Sequence, residues 1–332
     1  MRTLDQLDAK LEKRTPITAL PVNLSRPGSY YVVTNLTAAA SSGITISTNN
    51  VTVDLNGFTL FGPASGTSES AVTVTGTRTN ITIRNGFFSG WPGSGIGGSA
   101  LHLCLIEDIG IENVGRTGMF VGDGAVVRGC RIVGIGLTTA NQSAIHVGDG
   151  AVISDCTISG QHGTAISGDA RDIIQRCTVI GGLSTNDYAI TVNSYSLIRD
   201  CVVMNNRGGT NHGGIFAGSH STVKNCVVGQ NTGHGISASD DTYLLEKNCE
   251  NNDGDGINVS GENARVDLNH LAGNTGYGLR VTTTNGANLI IRNSSLSNPG
   301  SHYSIAPGNK DAALFFPGPG FSSTSPWVNF AF

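Results

Sequence analysis

The chain has 332 residues, of which 13% are charged and 38% hydrophobic, with a net charge of −4 and seven cysteines. That balance argues against a basic nucleic-acid-binding surface, and no apolar run reaches the roughly 20 residues of a membrane span. With 46 glycines and many Val, Ile, Thr and Asn, it points to β-structure with frequent turns.

In chain order, residues 1–41 read as an N-terminal cap. The opening MRTLDQLDAK has no signal-peptide core. The segment TLDQLDAKL predicts a short helix, with Thr3 as N-cap, Gln6 completing a capping box and Leu4, Leu7 and Leu11 on one stripe. Pro16 ends it, and RPGSYYVVTNL then supplies covering strands.

Residues 42–309 carry an internal repeat. A small residue followed by an apolar one marks starts at Ile44, Val72, Ile96, Met119, Ile145, Ile166, Ile190, Ile215, Ile236, Ile257 and Leu279, spaced 21 to 28 residues apart. A degenerate last turn begins near Tyr303 and Ile305. Cys130, Cys156, Cys177, Cys201 and Cys226 each lie 11 residues after a start, whereas Cys104 and Cys249 fall at 8 and 13. Asn231, Asn252, Asn274 and Asn298 each precede the next start by five, and Gln161 holds that place before Ile166. Like residues at fixed offsets predict an all-β solenoid of about 10 to 11 coils, with short strands stacked about 4.8 Å apart. The five aligned cysteines are expected to be inward, reduced and packed. With no CxxC pair, the seven suggest neither a disulfide framework nor a zinc site.

Residues 310–332 leave the repeat. Phe315, Phe316, Phe321, Trp327, Phe330 and Phe332 predict an aromatic cap over the last coil, with a homotrimer contact as the alternative to a self-capped monomer.

Repeats such as GISASDDTYLLEKNCENNDGDGI and GIFAGSHSTVKNCVVGQNTGHGI resemble the right-handed parallel β-helix repeat family of the pectate-lyase-like superfamily. The opening RTPITALPVNLSRPGSYYVVTNLT, with GITISTNNVTVDLNGFTL after it, is similar to the start of uncharacterised secreted bacterial β-helix proteins. The resemblance covers nearly the whole chain. It implies a right-handed parallel β-helix and an extracellular or cell-surface place, the leader not being present in this chain. It implies no single activity, since the superfamily holds lyases, hydrolases, epimerases, tailspikes and adhesins.

The register shows which side chains share a face. The residue after each start points outward: Thr45, Thr73, Gly97, Phe120, His146, Ser167, Thr191, Phe216, Ser237, Asn258 and Arg280. Lyases of the superfamily place calcium-binding carboxylates there, and this column has no Asp or Glu. No cofactor is therefore expected; calcium is the alternative, and it has no acidic column to support it. The twin stretches GDGAVVRGC and GDGAVISDC read as one corner and one inward strand written twice, with Asp123 and Asp149 supporting tight turns. Asp155, Arg176 and Asp200 read as a surface charge ladder.

The loop before the starts is the most suggestive place for chemistry. His234 and Asp255 share one column on adjacent coils, and His212 and Asp187 share another. A His paired with a carboxylate can act as general base, so these four are the catalytic candidates if the chain is an enzyme. Tyr188, Tyr277, Asp253 and Arg280 are the substrate-binding candidates. The favoured reading is a secreted or surface β-helix scaffold or glycan-binding module without catalysis, its partner a polysaccharide. The alternatives are a polysaccharide lyase, epimerase or hydrolase, or a tailspike-like protein.

Overall fold

The computed structural model describes residues 14–332 except 64–65, 67, 139–141, 185–186, 209–212 and 317–322. The predicted helix over Thr3 to Leu11 lies outside the described residues. Among the described residues every regular element is a strand, and the strands stack in parallel as a solenoid.

One sheet has 13 strands and a second has 26. The larger sheet covers two faces, because the long strands Ile81–Ser89 and Leu105–Val114 run through the corner between them. Each coil therefore has three sides around one apolar core.

All eleven predicted starts lie in the 13-stranded sheet and pair in one register, from Ile44 with Val72 to Ile257 with Leu279. The sheet also extends ahead of the expected coils, and at its other end it includes the degenerate turn expected near Tyr303 and Ile305. Val22–Leu24 pairs with Ile44–Ile46 ahead of the first start, and Ser301–Ile305 adds the last strand. The solenoid thus has about 12 turns rather than 10 to 11. The segment expected to cover the end is itself part of the stack, since Gly28–Val32 pairs with Val51–Asp54.

The corners are held by side-chain ladders. Asn206, Asn231, Asn252, Asn274 and Asn298 are buried, and the side-chain oxygen of each accepts a backbone N–H of the coil before it. The Asn252 Oδ1 accepts from the Asn231 backbone N–H at 3.2 Å and from its Nδ2 at 3.0 Å, while Asn252 Nδ2 donates to the Val228 carbonyl at 3.2 Å. An inward side chain that satisfies both an N–H and a carbonyl of the preceding coil offsets the cost of burying that corner, and each such bond contributes about 1 kcal/mol. The two GDG stretches form a corner as expected: Asp149 N–H donates to Asp123 Oδ1 at 3.1 Å, and Gly124 and Gly150 take φ of +62° and +70°. On the surface, Arg176 holds Asp155 through two bonds of 2.7 and 2.8 Å, and Asp200 accepts instead from Asn225.

A second ladder runs through Cys130, Cys156, Cys177, Cys201 and Cys226, all buried and unbridged. Cys249 is not its next rung. It pairs beside Val228 and Leu271 on the third face, and Lys247 takes the corner place. Lys247 is buried, and its Nζ donates to the Val223 and Leu245 carbonyls. Asn269, Asn293 and Asn329 then continue the column as amides. Burial pushes the Cys104 and Cys249 thiols up to about 12.

The tail is a cap only in part. Asn329–Ala331 adds a strand beside Ser294–Leu296, and Val328 and Ala331 are buried. Phe316, Trp327 and Phe332 remain exposed, and Phe321 lies outside the described residues. The reason is strand alternation: burying Asn329 and Ala331 turns Phe330 and Phe332 toward the outside.

Two predictions follow from the core. A thiol reagent should modify Cys130, Cys156, Cys177, Cys201 and Cys226 slowly in the native chain and at once in denaturant; fast native labelling at most of them contradicts the inward ladder. The second concerns two buried charges of opposite sign. Burial raises the Asp172 carboxyl from 3.8 to about 7, so the folded chain keeps a proton that the unfolded chain releases, and stability falls as pH rises through that window. Burial lowers Lys247 from 10.5 to about 7, so stability climbs as pH rises from about 7 toward 10.5. Thermal melts across pH should show Asp172→Asn flattening the first slope and Lys247→Met the second. Slopes unchanged by both substitutions would contradict this assignment.

Candidate functional site

The 13-stranded sheet presents a flat outward column flanked by corner loops. Its register aligns Phe120 with His146, Ser167 with Thr191, Phe216 with Ser237 and Asn258 with Arg280. The column carries no carboxylate along its length, and Arg280 is its one Arg or Lys. It therefore offers rings, hydroxyls and amides rather than charge.

Two aromatic groups stand on this face. Phe120 and His146 meet edge to face with centroids 4.6 Å apart, beside a cavity of about 200 Å³ that Thr117, Gln142 and Ser143 also line. Thr117 Oγ1 donates to Gln142 Oε1 at 3.0 Å, which fixes the amide toward the cavity rim. Burial lowers the His146 pKa, against a smaller upward pull from Asp169, so the ring is neutral at pH 7.

Further along, Tyr188 leans over two coils. Its ring lies 5.6 Å from Phe216 and its hydroxyl donates to Ser237 Oγ at 2.6 Å. Glycine at 213 permits this, because a Cβ there would meet the Tyr188 ring at 1.9 Å. Tyr277 and Arg280 complete the stretch, with the guanidinium 5.6 Å from the Tyr277 ring centre.

The structure brings His234 and Asp255 together, with Nδ1 3.3 Å from Oδ2. The hydrogen bonds run elsewhere. His234 Nδ1 accepts the Asp255 backbone N–H at 2.9 Å, and Asp255 Oδ1 accepts the Tyr277 N–H at 2.8 Å. An Nδ1 that accepts carries no proton, so the ring is the neutral tautomer with its proton on Nε2. Burial lowers the His234 pKa, although Asp255 pulls it up. The same device recurs at His102, whose Nδ1 accepts the Asp123 N–H at 3.0 Å. In a catalytic dyad Nδ1–H would donate to the carboxylate; here the pair links one coil to the next.

The other candidates are spread over the corner. Asp187 is exposed and lines a small cavity with Gln161, Asn206 and Arg207. Its partner in sequence, His212, lies outside the described residues. Asp253 faces a separate groove on the far side of the same corner. Sequence reasoning placed Phe120 and His146 in the outward column without singling them out; two rings at neighbouring outward positions were the available signal. Among the described residues no group of three or more His, Cys, Asp or Glu is placed to hold a metal ion, and no helix is long and apolar enough to cross a membrane.

Nuclear magnetic resonance of the imidazoles checks this geometry. His234 should show the Nε2–H tautomer and titrate below 6.5. A proton on Nδ1 at neutral pH, or a raised pKa, would restore the dyad.

Residues 92–248 match the family model for the right handed beta helix region. No curated protein matches the sequence. Among solved structures, the A-module of a mannuronan C-5 epimerase from Azotobacter vinelandii is similar at 12% identity, with 86% of this chain and 91% of that one covered and a TM-score of 0.61. The catalytic domain of a GH87 alpha-1,3-glucanase, solved with tetrasaccharides, is similar at 12% identity over 89% of this chain and 64% of that one, with a TM-score of 0.58. The Dettilon tailspike protein is similar at 14% identity over 92% and 62%, with a TM-score of 0.52. Such low identities show the fold alone. With the family match at its centre and the same ladders running on to both sides, the fold of the chain is a right-handed parallel β-helix.

Proposed function

We propose that the protein is a glycan-binding β-helix module that holds a polysaccharide strand along the outward face of its 13-stranded sheet without cleaving it. The observation that carries this reading is the makeup of that face. Phe120, His146, Tyr188, Phe216 and Tyr277 offer rings for sugar faces, while Thr, Ser, Asn and Gln side chains offer hydroxyl partners. Phe120 and Phe216 sit four coils apart, about 19 Å along the rod, which suits several sugar residues in a row.

The chemistry of cleavage finds little support on the same face. A glycosidase needs two carboxylates across one cleft. The outward column has none, and Asp255 beside it is buried and bonded to backbone. The second reading, a polysaccharide lyase, epimerase or hydrolase, draws on the similar solved structures, which include an epimerase and a glucanase. A tailspike-like role is compatible with either reading, and both fit a place outside the cytoplasm.

Affinity electrophoresis through gels holding neutral or uronic polysaccharides tests the proposal. The native chain should be retarded by at least one glycan, and Phe120→Ala should weaken that binding by about three- to tenfold, the worth of one aromatic stack. Phe120 is about two-fifths exposed, so the variant should melt close to the native chain. No retardation in any gel would overturn the reading.

A further inference from the structure

We propose a second saccharide site, selective for neutral sugars, in the groove at the corner that leads back to the 13-stranded sheet. It takes its ligand class from the glycan reading above but lies on a different side of the rod.

The groove arises from a change in coil length. Ile190 and Ile215 are register partners 25 residues apart, whereas Ile215 to Ile236 and Ile236 to Ile257 take 21 each. At this corner the two longer coils carry a separate two-stranded ladder, in which Leu183–Ser184 pairs with Arg207–Gly208. The next two coils add no strand to this ladder, so it ends as a step. Under the step lies a cavity of about 410 Å³ lined by Asn205, Arg207, Gln230, Thr232, Asn251 and Asp253. That volume lies within the range of small-ligand sites.

The lining sets the ligand chemistry. Asn205, Gln230 and Asn251 stand on successive coils with φ of +57°, +57° and +55°, so one left-handed corner repeats three times and sends three amides to the same side. Each amide offers both a donor and an acceptor, as paired sugar hydroxyls require. Arg207 and Asp253 bring one positive and one negative group, so the groove has no net charge to hold a uronate or an amine. The same corner column accepts glycine elsewhere, at Gly134, Gly160, Gly181 and Gly273, each with φ between +62° and +72°. Asn113 holds the same column beside Gly134, so an unbroken run of three amides is not demanded by the backbone.

That column supplies a clean variant. Gln230→Gly with Asn251→Gly removes two amides and keeps the left-handed corner available. Titration calorimetry with neutral trisaccharides and with trigalacturonate should be run on the native chain, the double variant and Phe120→Ala, with melting temperatures as controls. A neutral trisaccharide should bind in a step that survives Phe120→Ala and weakens about tenfold in the double variant, the worth of two hydrogen bonds. Loss confined to Phe120→Ala would overturn the groove and leave the face. Loss confined to the double variant would support the groove and remove the face reading. Binding of trigalacturonate in preference to every neutral sugar would overturn the selectivity, and no binding by the native chain would overturn both sites.

Discussion

Each coil of this protein completes nearly all its backbone hydrogen bonds through the coils above and below it. Val126, Val152 and Ile173 donate in turn to the Cys104, Ala125 and Ala151 carbonyls, and the same offset repeats along the rod. No coil can be stable by itself, because its strands are mostly three residues long and have no partner within the coil. This dependence makes the register strict. A slip of one residue would turn Ile145 and Val147 outward and His146 inward, so the face that meets solvent is set by the same constraint that builds the core.

The corners show how the constraint handles polar groups. Where a coil turns, backbone groups point inward with no strand to receive them, and buried Asn, Cys, Ser or Asp side chains meet them. Asp172 and Lys247 are the expensive members of these columns. Asp172 accepts the Ala151 N–H at 2.8 Å through one oxygen, while the other oxygen has no partner in the structure. Lys247 gives its ammonium to carbonyls in place of a thiol. Ser196 and Ser221 fill the Asp172 column on the next two coils, so the corner itself does not require a carboxylate.

Much of this was legible in the sequence. Ile44 to Leu279 could be placed because an inward β-branched or aliphatic residue after a small one recurs once per coil, and stacking forces that recurrence. The two ends were less legible. Val22 follows Pro21 rather than a small residue, and Tyr303 and Ile305 lack the Gly-Ile signature, so neither strand carried the signal that marks its neighbours. Lys247 stands at the cysteine offset, but a lysine in that column contradicts the usual rule against buried cations, and Cys249 drew the register off by two. The pairing of His234 with Asp255 was legible as proximity, whereas the direction of its hydrogen bonds was not, since a backbone N–H leaves no mark in a sequence.

The functional surfaces follow from the same stack. A carboxylate-free column of rings and hydroxyls can line up sugar units but lacks the paired acids that break a glycosidic bond. The claim that the face binds without turnover is tested most directly by the fate of a bound glycan. A polysaccharide that the native chain retains should be incubated with it at high protein concentration, and its chain length, end groups and sugar composition measured by mass spectrometry. The account predicts that all three are unchanged. New reducing ends, unsaturated ends or inverted sugar centres would contradict it and place this chain among the enzymes that share its fold.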